Sequence, residues 1–145
     1  MKKLISFVAI TALSLAFSGC ASYQPQKTEL HQSGLYYNYL QPDFNRYLNA
    51  TRKWLEKNRH FISDTPQKEL DMNMPFQQSP GDPTDKAILF VHGLGDSPYS
   101  FSDLAPTMVR LGFHVEVLLL PGHGSKPEDM LLPVYQDWQT IVDHY

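Results

Sequence analysis

The 145-residue sequence has a single cysteine, few charged residues and no basic run after its first two lysines. One cysteine excludes an intrachain disulfide. With no second cysteine and no pair of histidines at His-x-x-x-His spacing, neither a metal site nor a cofactor is expected. The net charge of −3, with lysine and arginine scattered along the chain, gives no support for a nucleic-acid partner. These absences leave an ordinary globular protein of about one domain.

The N-terminus has the layout of a secretory signal. Two lysines precede the apolar segment Leu4–Phe17, which is too short to span a bilayer, and small residues lead to Cys20. Small residues before a cysteine resemble the lipobox of bacterial lipoproteins, although Phe17 stands where that pattern favours leucine. The resemblance implies that residues 1–19 are a lipoprotein signal peptide and that Cys20 is lipidated. The alternative is a plain secretory signal, with Cys20 incidental.

The residue after the cysteine bears on localisation. In the lipoprotein pattern, an aspartate there retains the protein at the inner membrane, and this chain has Ala21. The resemblance therefore implies a lipid anchor at the periplasmic face of the outer membrane of a Gram-negative bacterium. Acyl chains would then bind the protein to the membrane.

The remaining chain divides by composition and pattern. Residues 20–42, rich in Gln, Ser, Tyr and Pro, are typical of a tether. Residues 43–66 form an N-terminal helical segment, because apolar residues recur at helical spacing from Phe44 to Leu55. Pro42-Asp43 is expected to start this helix and Asn58-Arg59 to end it. We interpret it as a packing helix.

Residues 67–145 alternate between strand and helix patterns. Period-two alternation predicts a strand over Leu70–Phe76, with Pro75 marking a sheet edge or the strand's end. Two strands buried on both faces are predicted over Ala87–Val91 and Phe113–Leu120. Between them a helix is predicted over Phe101–Leu111, opened by Asp96-Ser97-Pro98 and closed by Gly112. A final helix is predicted over Val134–Tyr145. This order predicts an α/β domain, with a mostly parallel sheet flanked by helices.

The stretch after the first buried strand carries the candidate chemistry. It reads His92-Gly93-Leu94-Gly95, and the glycines allow a sharp turn that presents main-chain N–H groups. In such a turn the Leu94 N–H can donate to a developing alkoxide, as half of an oxyanion hole. His92, Gly93 and Gly95 would support this donor.

Three motifs in order give a family resemblance: Phe-Val-His-Gly-Leu-Gly-Asp-Ser-Pro-Tyr-Ser, Leu-Pro-Gly-His-Gly-Ser-Lys-Pro and Gln-Asp-Trp. Together, over about Asn73 to Tyr145, they resemble the N-terminal half of bacterial α/β-hydrolases of the carboxylesterase and monoacylglycerol-lipase type, grouped with the serine aminopeptidases. The resemblance implies a Ser-Asp-His hydrolase acting on ester or lipid substrates. Its nucleophile would lie in a G-x-S-x-G elbow on the next strand.

The chain departs from this family in lacking the elbow. In Gly122-His123-Gly124-Ser125 the serine follows the second glycine, and the family's acid and base come later still. His92 matches the motif histidine beside the oxyanion hole, His123 matches a loop histidine whose role is open, and Ser97 and Ser100 match no nucleophile. The chain thus resembles an N-terminal fragment that supplies the oxyanion turn, lacks the triad and is expected to be inactive alone. In the family's strand order, Ala87–Val91 would expose an unpaired edge.

Three other functions compete with this one. A non-catalytic, lipid-anchored binding or accessory protein could be built on half a hydrolase fold. A GDS-type lipase would use Ser97, but it needs Asp-x-x-His near the C-terminus, where Asp143 and His144 are adjacent. A nucleotide-binding βαβ unit would use Gly93 and Gly95, but its third glycine is missing.

Overall fold

The computed structural model describes residues 37–145. The predicted signal peptide, Cys20 and most of the tether lie outside these residues. The described part contains these helices and strands: α1 Phe44–Asn58, α2 Pro66–Asp71, β1 Phe76–Gln78, β2 Ala87–Val91, α3 Leu104–Arg110, β3 His114–Leu118 and α4 Tyr135–His144. Short 3-10 turns span Pro98–Phe101 and Pro127–Leu131. No helix among these residues has the length and apolar character to cross a bilayer.

The three strands form one sheet in the order β1-β3-β2. β2 pairs with β3 in parallel, with Phe90 opposite Val117, whereas β1 pairs with β3 antiparallel, with Phe76 opposite the same valine. Val115 and Val117 of the central strand are fully buried against Ala105 of α3. Helices around a small mixed sheet agree with the predicted α/β class, and the parallel pair is where the buried runs predicted it.

The strand predicted over Leu70–Phe76 is wrong in its bounds. Leu70 lies in α2, and the strand begins only at Phe76. α2 starts at Pro66, where a proline suits the first helical position, and its Leu70 is buried with Leu55, Met74 and Leu119. The alternating apolar residues are therefore buried in a core, but they lie in a helix and a turn and not in a strand. Within residues 37–145, β1 is an outer strand, which agrees with the sheet edge that was one of the two alternatives for Pro75.

β2 is also less buried than predicted. Its two end residues, Ala87 and Val91, are exposed, and the three between them are only partly buried. Within residues 37–145, β3 is its one hydrogen-bonded neighbour, so the outer edge of β2 is unpaired. A strand buried on both faces needs other elements packed on each face of the sheet, and residues 37–145 do not bury β2 in this way.

The predicted helix boundaries agree with most of the observed ones. α1 begins after Asp43, whose carboxylate caps the helix by accepting from the Arg46 N–H at 2.8 Å. The helix predicted after Pro98 is divided into a 3-10 turn and α3, which is followed by Gly112 with φ +87°. α4 lies where its apolar spacing predicts it.

The side chain of Tyr47 joins α1 to the end of the central strand. It is fully buried, and its hydroxyl both donates to the Leu119 carbonyl and accepts from the Leu119 N–H, each at 2.9 Å. Leu119 follows β3 and has left the sheet ladder. The tyrosine therefore takes the place of a strand neighbour. Burial raises its pKa well above the ordinary value, so the hydroxyl stays neutral.

We expect Tyr47→Phe to lower the free energy of unfolding by about 1–3 kcal/mol, because it leaves two buried backbone groups of Leu119 without partners. Urea unfolding followed by tryptophan fluorescence measures the loss. Tyr135→Phe is the matched control, because Tyr135 is 67% exposed and the change should have little effect. Equal losses in the two variants would contradict this account.

Candidate active-site turn

The residues after β2 form a tight turn. The Asp96 N–H donates to the Gly93 carbonyl at 3.2 Å, and Gly95, the third residue of the turn, has φ +76°. A positive φ at this position is the reason for glycine. Leu94 lies at the apex and is 76% exposed, and no acceptor within residues 37–145 bonds its N–H. The turn thus leaves a main-chain donor without an acceptor among the described residues, at the carboxyl end of β2.

His92 ties this turn to the end of the central strand. Only 4% of it is exposed, and its Nε2 accepts from the Leu120 N–H at 3.1 Å. Because Nε2 is an acceptor, the ring proton lies on Nδ1, which donates to the Gly93 carbonyl at 2.9 Å. Burial lowers the pKa of His92, and the neighbouring His123 lowers it further. The neutral imidazole therefore stabilises the turn through its hydrogen bond to the Gly93 carbonyl.

A second glycine loop, residues 121–125, faces the turn. Gly122 and Gly124 have φ +86° and +81°. A Cβ on Gly122 would also lie 2.8 Å from a Pro133 side-chain carbon, so this position excludes other residues on two grounds. Trp138 of α4 holds the loop, its Nε1 donating to the Pro121 carbonyl at 2.9 Å.

Arg59, just after α1, straps the loop from the other side. It donates to the Gly124 carbonyl and pairs with Glu69 at 2.7 Å. Burial raises the pKa of Glu69, but hydrogen bonds from Ser63, the Ile62 N–H and Arg59 outweigh it and lower the pKa to about 2. This ion pair could not be predicted from the sequence, since two charges ten residues apart outside any periodic element carry no local signal.

His123 brings the two loops into contact. Its ring lies edge-on to His92, with centroids 4.8 Å apart. Its Nε2 is buried with no hydrogen-bond partner within the described residues, and burial lowers its pKa. A cavity of about 310 Å³ beside these histidines is lined by both loops and by the segment after α1, among them Arg59, His60, Asn73, Gly95, Asp96 and Lys126.

The serines near the turn have other partners. The Ser97 hydroxyl donates to the Met72 carbonyl at 3.0 Å, and no histidine of the described chain bonds it, as a GDS-type nucleophile would require. Ser100 donates to Asp96, and this bond and the Ser97 N–H lower the pKa of that carboxylate. Among residues 37–145, no group of three or more His, Cys, Asp or Glu could hold a metal ion.

Comparisons with known proteins find lipolytic enzymes. The chain is 36% identical over 56 residues to a thermostable monoacylglycerol lipase from Bacillus sp. strain H-257. The match covers 39% of this chain and 22% of that enzyme, so the chain spans about a fifth of the relative's length. Among solved structures, a chain reported with the metagenome-derived lipolytic enzymes LipS and LipT has 31% identity and a TM-score of 0.42, covering 48% of this chain and 27% of that one. No family model matches. The chain is thus similar in part to ester-hydrolysing lipases.

Acid should weaken the contact between the two loops. Because the pKa of His92 is lowered on folding, the unfolded chain binds more protons as the pH falls through the ordinary histidine value of about 6.5. A protonated Nε2 also cannot accept from Leu120. We expect the free energy of unfolding to fall between about pH 7.5 and 5.5.

Urea titrations across this range test the expectation. His92→Gln should show a shallower pH dependence, whereas His60→Gln, at an exposed histidine, should keep the parent's slope. A parent protein equally stable at both ends of the range would contradict it.

Proposed function

We propose that residues 73–145 are the oxyanion-hole part of a serine hydrolase that acts on carboxylic esters, with the Leu94 N–H as a donor to the oxyanion. The observation that carries the proposal is this free N–H, presented by a glycine turn at the carboxyl end of a parallel strand. Ligands of open α/β sheets bind at the carboxyl ends of the strands. The partial identity with a monoacylglycerol lipase supports the ester substrate class.

The turn suits the electrostatic demand of ester cleavage. Attack on an ester carbonyl creates an alkoxide, and a donor already fixed in place stabilises it without reorganisation, by about 2.7–4 kcal/mol for one donor. Here the Gly93 carbonyl accepts from both the Asp96 N–H and the His92 Nδ1–H. Those bonds fix the turn while leaving the Leu94 N–H unoccupied.

Residues 1–145 contain no G-x-S-x-G elbow, so the nucleophile of the proposed hydrolase would lie outside them. The unpaired edge of β2 is where a further parallel strand would add, and a serine at the end of that strand would emerge beside the turn. The general base and acid would come from the same outside part. The chain alone is therefore expected to turn over no ester.

A chimera tests the donor. Residues 73–145 of this chain replace the corresponding part of the Bacillus lipase, and hydrolysis of p-nitrophenyl butyrate is measured. We expect the chimera to be active and Leu94→Pro, which removes the N–H, to lower kcat by roughly 10²–10³-fold. Leu94→Ala keeps the N–H and should retain most of the activity.

Thermal melts of each chimera show whether the variants fold. A folded Leu94→Pro chimera with unchanged kcat would refute the oxyanion role. A folded chimera that is inactive even with Leu94 in place would refute the proposed function of the stretch.

We also propose that Cys20 is lipidated and anchors the protein at the periplasmic face of the outer membrane. The support is the order of lysines, apolar segment, small residues and sole cysteine. Two or more acyl chains give stable membrane binding where a single one gives only marginal binding.

Expression in a Gram-negative host with an alkyne-tagged fatty acid tests the anchor. We expect the protein to carry the label and to sediment with the outer membrane, and Cys20→Ser to lose both properties. Phe17→Leu, which brings the sequence closer to the lipobox, should keep both. Signal cleavage without label in the parent would instead show a plain secretory signal.

A further inference from the structure

We propose that Ser79 is a second nucleophilic site, which accepts an acyl group from activated carboxylic esters with His114 as its base. The site lies at the start of β3, where His114 pairs with Ala87, and therefore at the opposite end of the sheet from the turn at Leu94. It uses none of the residues that form the turn at Leu94 or support its N–H.

The sheet register brings the site together. β1 and β3 run antiparallel with Gln78 opposite Val115, so the next residue along, Ser79, comes opposite His114. His114 and Glu116 are two residues apart on one strand and share a face of the sheet. Backbone pairing, more than the side chains themselves, therefore sets this serine, histidine and carboxylate in a row.

The hydrogen bonds of Ser79, His114 and Glu116 define the tautomer of the neutral His114 ring. The Ser79 Oγ lies 2.7 Å from His114 Nδ1, and His114 Nε2 lies 3.3 Å from Glu116 Oε1. A carboxylate only accepts, so in the neutral imidazole Nε2 carries the ring proton and Nδ1 accepts from the serine. A nucleophile bonded to a base that a third group orients is the general arrangement of activated serines.

The three side chains of the row differ in their exposure to solvent. Ser79 is exposed, whereas the side chains of His114 and Glu116 are only 31% and 21% exposed. A reagent can therefore reach the hydroxyl while the base and its carboxylate stay partly shielded. Because the hydroxyl is exposed, small acyl groups on good leaving groups are the expected donors.

Other serines of the described chain are bonded differently. Ser97 donates to the Met72 carbonyl, and Ser100 and Ser125 donate to the carboxylates of Asp96 and Asp129. An oxygen acceptor of that kind orients a hydroxyl, but a carbonyl cannot take its proton and an ordinary carboxylate is a weaker base than an imidazole. Ser79 is thus distinguished from these serines by its partner.

The reaction is a single acyl transfer. The Ser79 Oγ forms a bond to the acyl carbon of p-nitrophenyl acetate, the ester C–O bond breaks, and p-nitrophenolate leaves. The hydroxyl proton passes to His114 Nδ1 and from there to water, while Glu116 accepts from Nε2–H throughout. The products are acetyl-Ser79 and p-nitrophenolate, one per chain.

Intact-mass spectrometry and peptide mapping of the full chain, treated with p-nitrophenyl acetate, test the proposal. A Cys20→Ser parent removes acylation of the thiol. We expect one acetyl group on Ser79, no label at this position in Ser79→Ala, and labelling slowed about 10²-fold or more in His114→Gln. Glu116→Gln should slow labelling less, and Ser100→Ala should leave it unchanged.

Thermal melts check that each variant is folded. Labelling at the parent's rate in His114→Gln, or acetyl groups spread over other serines and lysines without preference for Ser79, would overturn the proposal and leave an ordinary cross-strand hydrogen bond. Because this readout is one acetyl group per chain and the chimera readout is turnover, either proposal can fail without the other.

Discussion

The backbone that continues beyond β3 has to satisfy its polar groups without a neighbouring strand, and the rest of the structure depends on how it does so. Leu119 and Leu120 are buried, and an unpaired peptide group there would be costly. Tyr47 bonds both groups of Leu119, and His92 accepts from the N–H of Leu120. Two side chains thus dock α1 and the glycine turn on the same short segment. Moving either would free a buried group, so the positions of helix and turn are coupled.

This arrangement requires both side chains to be neutral, and burial keeps them so. It raises the pKa of Tyr47 and lowers that of His92, so each uncharged form persists at neutral pH. Charged side chains also line the cavity; one of them, Arg59, pairs with Glu69 and reaches the Gly124 carbonyl. The neutral His92 imidazole thus holds the inner side of the turn, and the Leu94 N–H has no acceptor among residues 37–145.

Periodicity in the sequence was sufficient for elements whose burial is local. α1 and α4 carry their own apolar stripes, and β2 is a short apolar run bounded by glycine, so each was predicted close to its observed bounds. The strand predicted from the alternation after Leu70 is wrong because Pro66 starts a short helix, and a period-two pattern gives no indication of it. The burial of β2 depends on neighbours far along the chain. The contacts of Tyr47 with Leu119 and of Arg59 with Gly124 likewise join residues 72 and 65 positions apart, which no local pattern specifies.

The same register that builds the Ser79 row also separates it from the turn. His114 pairs with Ala87 at one end of β2, and the turn follows Val91 at the other, so about 13 Å of strand lies between them at roughly 3.3 Å per residue. A nucleophile and an oxyanion donor must both lie about 3 Å from one reacting group. Ser79 therefore cannot serve an ester held at Leu94. In the proposed function, the catalytic serine would come from a strand paired with the edge of β2 that is open within residues 37–145, because a parallel strand there would end beside the turn.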